Sequence, residues 1–180
     1  EIAGLGKSLV YFISTAINRK VHNRGLTLLV SPLLSLMRNQ IQAASKVGII
    51  AERIDSSNQK KWDAIEKKIK NDELDALLIS PERFANTRFY EEVLIPISAS
   101  VGMLVIDEVH CISDWGHDFR PDYRRIENII SFLPPNVPLI GTTATANNRV
   151  IKDLNETFTG RVKVQRGNLA RINICFQSFW

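Results

Sequence analysis

The sequence is poor in the features that mark unusual protein classes. Two cysteines, Cys111 and Cys175, are all it has in 180 residues, with no Cys-x-x-Cys pair and no Cys/His cluster. That excludes a zinc framework or a disulfide scaffold and makes a reduced, intracellular protein the expectation. No apolar run approaches the roughly 18 residues that span a bilayer; the longest, such as Leu28–Val30 and Met103–Ile106, are strand-sized, so no membrane partner is expected. There is no internal repeat, low-complexity tract or interdomain linker, since Pro134, Pro135 and Pro138 only punctuate a short loop. A strong charge of one sign is missing too: 23 Lys and Arg against 19 Asp and Glu give +4, which tolerates a polyanionic partner without demanding one. The chain opens on Glu1 and lacks a basic segment followed by an apolar one, so it reads as a piece of something longer.

What is present is ordinary in amount and informative in order. Apolar residues make up 44% and charged residues 23%, close to globular averages, and the length favours one domain with a sizeable core. Leu26–Val30 is a short apolar run followed by Ser31 and Pro32 as N-cap and first helical residue, then Leu33, Met37, Ile41 and Ala44 on one helical face. The alternation repeats. Gly48–Ile54 precedes a helix around Trp62, Ile65 and Ile69; Ala76–Ile79 precedes a segment from Pro81; Met103–Ile106 precedes a helix carrying Tyr123, Ile126, Ile130 and Leu133. Leu139–Thr143 is a further strand, Asn147–Leu154 a helix, and Val162–Val164 and Ile172–Phe176 late strands. Continuous apolar strands alternating with helices predict an α/β fold, a mostly parallel sheet with helices on both faces. The cluster Lys60, Lys61, Lys67, Lys68 and Lys70 reads as a solvated helix face, with nonspecific polyanion contact as the alternative.

Two segments carry chemistry. Gly4, Leu5, Gly6, Lys7 and Ser8 match the end of the phosphate-binding pattern G-x-x-x-x-G-K-[ST], with Glu1 at the first glycine position. Glycines let backbone N–H groups face phosphates, Lys7 would reach the β and γ phosphates, and the Ser8 hydroxyl would ligate magnesium. A helix with Leu9, Phe12, Ile13 and Ala16 as its apolar stripe should follow, its N-terminus favouring the anion. The nucleotide-binding candidates are therefore Gly4, Leu5, Gly6, Lys7, Ser8 and Leu9. Second, the apolar run Met103–Ile106 empties into Asp107 and Glu108, then Val109 and His110. Carboxyl ends of parallel strands are where ligands bind. Asp107 would hold magnesium, and Glu108, free of the metal, would orient and polarise the attacking water. Lys7, Asp107 and Glu108 form the catalytic set, with ATP and Mg2+ as cofactors.

This pair resembles motifs I and II of the superfamily 2 helicases, with Asp107–His110 standing as a DEAH-type box. The same resemblance runs through Ser31–Met37 and Ser80–Arg83, implying nucleic-acid backbone contacts at Ser31, Ser35 and Arg83, although helix capping explains Ser31 and Pro32 equally well. It extends to Thr143, Ala144 and Thr145, where hydroxyls would couple the nucleotide site to nucleic acid together with His110. Between the second and third motifs, Trp115 and Phe119 sit amid Asp, Gly, His and Arg without helical or strand period. Bases stack on such rings at roughly 1–3 kcal/mol each; loop packing is the alternative.

The run Cys111–Tyr123 closely resembles the aromatic-rich loop of RecQ-family DNA helicases, and the likeness covers Gly4 to about Arg171. It implies a RecA-like P-loop NTPase lobe of a 3′ to 5′ DNA helicase, with Trp115, His117, Asp118, Phe119 and Arg120 linking DNA binding to hydrolysis. Ala3 stands where the family usually has threonine, and Leu5 where a small residue is common. The implied partners are single-stranded and duplex DNA and a second RecA-like lobe supplying an arginine finger. The whole span 1–180 would be the first lobe, beginning inside the P-loop, located in the cytoplasm of a bacterium or the nucleus of a eukaryote. Rival readings are a P-loop scaffold that grips nucleic acid without moving, an RNA helicase, and a small-molecule kinase.

Overall fold

The structure, a computed structural model, describes residues 5–32, 34–113, 121–145, 147–158 and 162–165. Five strands form one sheet: β1 (Leu26–Val30), β2 (Ala51–Ile54), β3 (Ala76–Ile79), β4 (Val101–Asp107) and β5 (Leu139–Thr142). Their spatial order is β2-β3-β1-β4-β5, and every neighbouring pair is parallel. The expected strands up to Leu139–Thr143 are thus present, with the Gly48–Ile54 run shortened at its start because Gly48 takes a positive φ of 72° in the turn after the preceding helix.

Burial follows position in the sheet. Every residue of β1, β3 and β4 is buried, whereas β2 and β5, at the two edges, are only partly covered. Side chains alternate between two cores. One face, with Leu29, Leu78, Met103 and Val105, packs against Tyr11, Phe12, Met37 and Ala44 of helices α1 (Leu5–Lys20) and α2 (Leu34–Lys46). The other, with Leu28, Val30, Leu77, Ile79 and Leu104, is covered by Ile65 and Ile69 of helix α3 (Trp62–Lys70), by Phe84, Phe89, Tyr123 and Ile126, and by Val150 and Leu154 of the helix Asn148–Thr157. Burial of each such aliphatic side chain contributes about 1.5–3 kcal/mol before the opposing chain entropy.

Four local expectations are corrected. In α1 the apolar count put Leu9, Phe12, Ile13 and Ala16 inward; Phe12 is buried, but Leu9 and Ile13 are 48% and 46% exposed. The inward face is Ser8, Tyr11, Phe12 and Thr15, spaced as a helical stripe but partly polar. Their hydroxyls make this possible: Thr15 Oγ1 donates to the Tyr11 carbonyl and meets Thr27 Oγ1 at 3.0 Å. Helix α2 starts at Leu34, and the Ser31 hydroxyl is buried without a partner among the described residues, so it caps nothing. The Val162–Val164 strand is not formed: residues 162–165 have no regular structure, and Val164 is 46% exposed. The Ile172–Phe176 strand lies outside the described residues. Finally, the helix expected over Tyr123–Leu133 is two pieces, Pro121–Arg124 and Ile126–Ile130.

The lysine cluster keeps its solvated reading, with Lys60, Lys61, Lys67 and Lys70 exposed and Lys68 paired with Glu52. No described helix is long and apolar enough to cross a membrane.

The tightest backbone approach lies where β1 and β4 begin. A Cβ on Gly25 would sit 1.9 Å from the Ser100 carbonyl oxygen, and one on Gly102 would sit 2.5 Å from the Gly25 nitrogen. Both obstacles are backbone, so neither can turn aside. We expect Gly102→Ala to lower the unfolding free energy by about 1–3 kcal/mol or more, as forced overpacking does, read as a lower urea midpoint at unchanged slope. Wild-type stability in that variant would mean that the strands part without cost.

Candidate active site

Strand β4 is interior and long, and it delivers Asp107 to its carboxyl end between β1 and β5. Asp107 is only 6% exposed, a position in which a carboxylate survives only with partners. Thr142, directly across the ladder on β5, donates its hydroxyl to Oδ1 at 2.7 Å. The Glu108 backbone N–H donates to the same oxygen at 3.1 Å, and Gln40 Nε2 donates to Oδ2 at 3.0 Å. Burial nonetheless pushes the Asp107 carboxyl above its ordinary range, helped by the charge of Glu108 and opposed by the Thr142 hydrogen bond and by Lys7.

The next residue turns the chain. Glu108 has φ 50° and ψ 49°, a left-handed conformation that costs a residue with a Cβ about 1–2 kcal/mol. Non-glycine residues held this way concentrate at functional sites. The turn lifts the Glu108 carboxylate out of the sheet to meet Lys7 from the start of α1, Nζ to Oε1 at 2.8 Å, while Oε2 lies 3.3 Å from His110 Nδ1. His110, 4% exposed in the short turn Val109–Ile112, continues the chain of contacts: its Nδ1 is 2.7 Å from Thr143 Oγ1. Thr143 donates its hydroxyl proton to the Thr145 carbonyl at 2.9 Å and accepts from the Thr145 N–H. Thr143 thus joins the His110 ring to the loop after β5. Tyr123, buried beneath the strand end, donates its hydroxyl to the Asp107 carbonyl at 3.0 Å.

The expected catalytic and coupling residues Lys7, Asp107, Glu108, His110, Thr143 and Thr145 therefore sit together. Ser8, 9% exposed, belongs to the same group, since it accepts a hydrogen bond at 2.9 Å from Tyr11, whose hydroxyl in turn accepts from Gln40 at 2.9 Å. Burial first, and the Asp107 charge among the further causes, push the Tyr11 hydroxyl up to about 12, against the lowering pull of its bond to Ser8. Leu5 and Gly6 open α1, and Leu9 faces outward.

The nucleic-acid candidates fare differently. Ser35 is exposed on α2. Ser31 is fully buried, so its hydroxyl is not presented to an outside strand, contrary to the expectation. Arg83 is half-buried, its guanidinium carbon 6.0 Å from the centre of the Trp62 ring and its Nε without a partner among the described residues. Gly4, Trp115, His117, Asp118, Phe119 and Arg120 lie outside the described residues.

Four residues of the site were not anticipated: Tyr11, Gln40, Tyr123 and Thr142. Gln40 had a readable signal, a polar residue between Met37 and Ala44 on the inward stripe of α2. Thr142 becomes significant only once the strand register is known.

Ser8 and Asp107 offer a hydroxyl and a carboxylate oxygen, hard donors suited to magnesium. Among the described residues no group of three or more His, Cys, Asp or Glu could hold a metal. Two such donors would suit a cation that arrives with a phosphate ligand and keeps most of its water.

The sequence pattern that defines the family described as DEAD/DEAH box helicase matches residues 3–154. ATP-dependent DNA helicase Q1 of Mus musculus is 38% identical over 159 residues, 85% of this chain and 24% of that protein. ATP-dependent DNA helicase Q-like 2 of Arabidopsis thaliana is 37% identical over 161 residues, 86% and 22%. ATP-dependent DNA helicase RecQ of Pasteurella multocida is 36% identical over 152 residues, 84% and 23%. The chain thus spans about a quarter of the length of these relatives. Among solved structures, the Pyrococcus furiosus Hef helicase domain superposes with a TM-score of 0.62 at 17% identity, covering 87% of this chain and 31% of that one; at that identity the likeness is one of fold.

Glu108 loses its contacts but also its backbone strain when replaced by glycine. Because the Lys7 and Glu108 side chains are 30% and 25% exposed, their pair contributes at most about 1 kcal/mol, comparable to the strain relieved. We expect Glu108→Gly to stay within about 1 kcal/mol of wild type in urea unfolding. A loss beyond about 3 kcal/mol would identify the pair as a structural anchor.

Proposed function

The chain belongs to the DEAD/DEAH box helicases, and from that premise we propose that it is the nucleotide-binding lobe of an ATP-dependent, RecQ-type DNA helicase. The observation that carries the reading is the end of β4: a buried, well-donated carboxylate beside a strained, half-exposed one that faces the lysine of the phosphate loop. Phosphoryl transfer to water needs positioning and charge stabilisation more than covalent chemistry. Lys7, in the first turn of α1, faces the space where phosphates approach the helix N-terminus. Glu108 accepts a proton from, or orients, the attacking water, and is released for this when phosphate replaces it on Lys7. Ser8 and Asp107 would hold Mg2+, which when bound neutralises phosphate charge. His110 and Thr143 tie the Glu108 carboxylate to the loop after β5, the element through which nucleic acid would sense the nucleotide.

The substrate assignment rests on the relatives, which are named DNA helicases, and on the Trp115–Arg120 run. Direction, 3′ to 5′, follows the RecQ likeness. A second RecA-like lobe would supply the missing cation at the γ-phosphate, and action on DNA would set an intracellular location. An RNA helicase and a gripping scaffold are the alternatives; the intact Lys7, Asp107 and Glu108 favour a working hydrolase over the scaffold.

In the full-length protein, Glu108→Gln should lower single-strand-stimulated ATP turnover by about 10²–10⁴-fold while a fluorescent ATP analogue still binds. Unchanged turnover would overturn the role given to Glu108. Residues 1–180 alone should turn over at least about 10³-fold more slowly than the full-length protein, the effect of a missing arginine finger in related NTPases; comparable rates would show that the lobe is self-sufficient.

A further inference from the structure

Two buried side chains join the paired cation ligands, and neither belongs to a sequence motif read above. Tyr11 is 1% exposed and Gln40 is 5% exposed. The Tyr11 hydroxyl donates to Ser8 Oγ at 2.9 Å and accepts from Gln40 Nε2 at 2.9 Å, and the same Nε2 donates to Asp107 Oδ2 at 3.0 Å. An unbroken bridge of three hydrogen bonds thus runs from the hydroxyl of α1 to the carboxylate of β4 through α2.

The arrangement carries a cost that a simple packing role would not. Gln40 Oε1 is buried without a partner among the described residues. Turning the amide over would give that oxygen the Tyr11 hydroxyl as a donor but would set it against the Asp107 carboxylate. The amide is therefore held donor-first, with both its hydrogens spent on the bridge. The consequence reaches the ligands themselves. On Asp107, Oδ1 accepts from Thr142 and Glu108, which fills it, and Oδ2 accepts from Gln40, which leaves one lone-pair direction on that oxygen. On Ser8, the Tyr11 proton occupies one acceptor position and so limits the rotation of the hydroxyl.

We propose that Tyr11 and Gln40 are positioning residues that hold the Ser8 hydroxyl and the Asp107 carboxylate in one relative orientation, and so set the affinity for the divalent cation that accompanies the nucleotide. The inference rests on the nucleotide reading above. Partners that orient metal ligands change metal affinity by about 10–100-fold when removed. Tyr11→Phe deletes one oxygen and keeps the ring, whereas Gln40→Met keeps volume and deletes both donors.

The test is binding of a fluorescent, non-hydrolysable ATP analogue to the full-length protein across a magnesium titration, repeated in EDTA, with circular dichroism melts alongside. Tyr11→Phe should raise the magnesium concentration at half-maximal binding by about 10-fold and leave the metal-free affinity unchanged. Gln40→Met should do the same, and the double variant should be no worse than the worse single one, because each breaks the same bridge. A magnesium midpoint within about twofold of wild type in either well-folded variant, or loss of the folded signal in both, would assign the pair to packing and overturn the inference. Absence of magnesium-dependent binding in the wild-type protein would instead overturn the nucleotide reading, and this inference with it.

Discussion

Burying one carboxylate at the end of the interior strand β4 is the constraint from which the rest of the site follows. Asp107 is nearly inaccessible, and an isolated charge there would be neutralised by its surroundings. Keeping it ionised takes donors from three directions: Gln40 from α2, Thr142 from β5 and the amide of its own turn. Each donor fixes an element. The register that sets Thr142 opposite Asp107 ties β5 to β4. The inward polar residue of α2 ties that helix to the strand end, and through Tyr11 to the first turns of α1. The sheet order places β1 and β5 on either side of β4, so the carboxylate is reached by α2 and by the neighbouring strand at one point.

Beside that buried centre, Glu108 is the more exposed partner. It stands in a strained left-handed turn, partly exposed, with Lys7 on one oxygen and His110 near the other. The division is chemically useful. A carboxylate with one open lone-pair direction suits a cation that brings its own waters and phosphates, whereas a half-exposed one can exchange partners cheaply. His110 is buried and hydrogen-bonded to Thr143, so a change in what Glu108 contacts has a packed route to the loop after β5. Two arrangements of the Glu108 side chain, lysine-bound and free, would be the element that both ligands bias.

How far this could be read from residues alone depends on what each inference rests upon. The central strands declared themselves because a buried parallel strand is apolar on both faces, as in Leu26–Val30 and Met103–Ile106. That Lys7, Asp107 and Glu108 would meet was legible because Gly-Lys-Ser and a strand ending in Asp-Glu each suggest their chemistry in the residue types. The phase of α1 was not, because counting apolar residues assumes that polar ones face water. Ser8, Tyr11 and Thr15 point inward since each hydroxyl has a partner there, and hydrogen bonding inverted the stripe. Ser31 misled in the opposite sense: a residue type suited to capping and to phosphate contact is buried and does neither in this conformation. Tyr11, Gln40, Tyr123 and Thr142 depend on which strand lies beside which, information that no local window holds.

The pairing of Lys7 with Glu108 bears on how such a site rests without turning over. Lys7 and Glu108 neutralise each other across 2.8 Å, so neither presents its charge to solvent alone. A triphosphate carries several negative charges and competes for Lys7 from the helix N-terminus, where the backbone also favours anions. Because the pair is partly hydrated, separating it costs about 1 kcal/mol or less, small beside the charge-assisted contacts that phosphate makes in return. Such an exchange would leave Glu108 without its lysine only when phosphate is present. On the proposed reading, the ion pair would be a protecting contact whose removal is coupled to phosphate binding, with the left-handed turn at Glu108 setting where that exchange takes place.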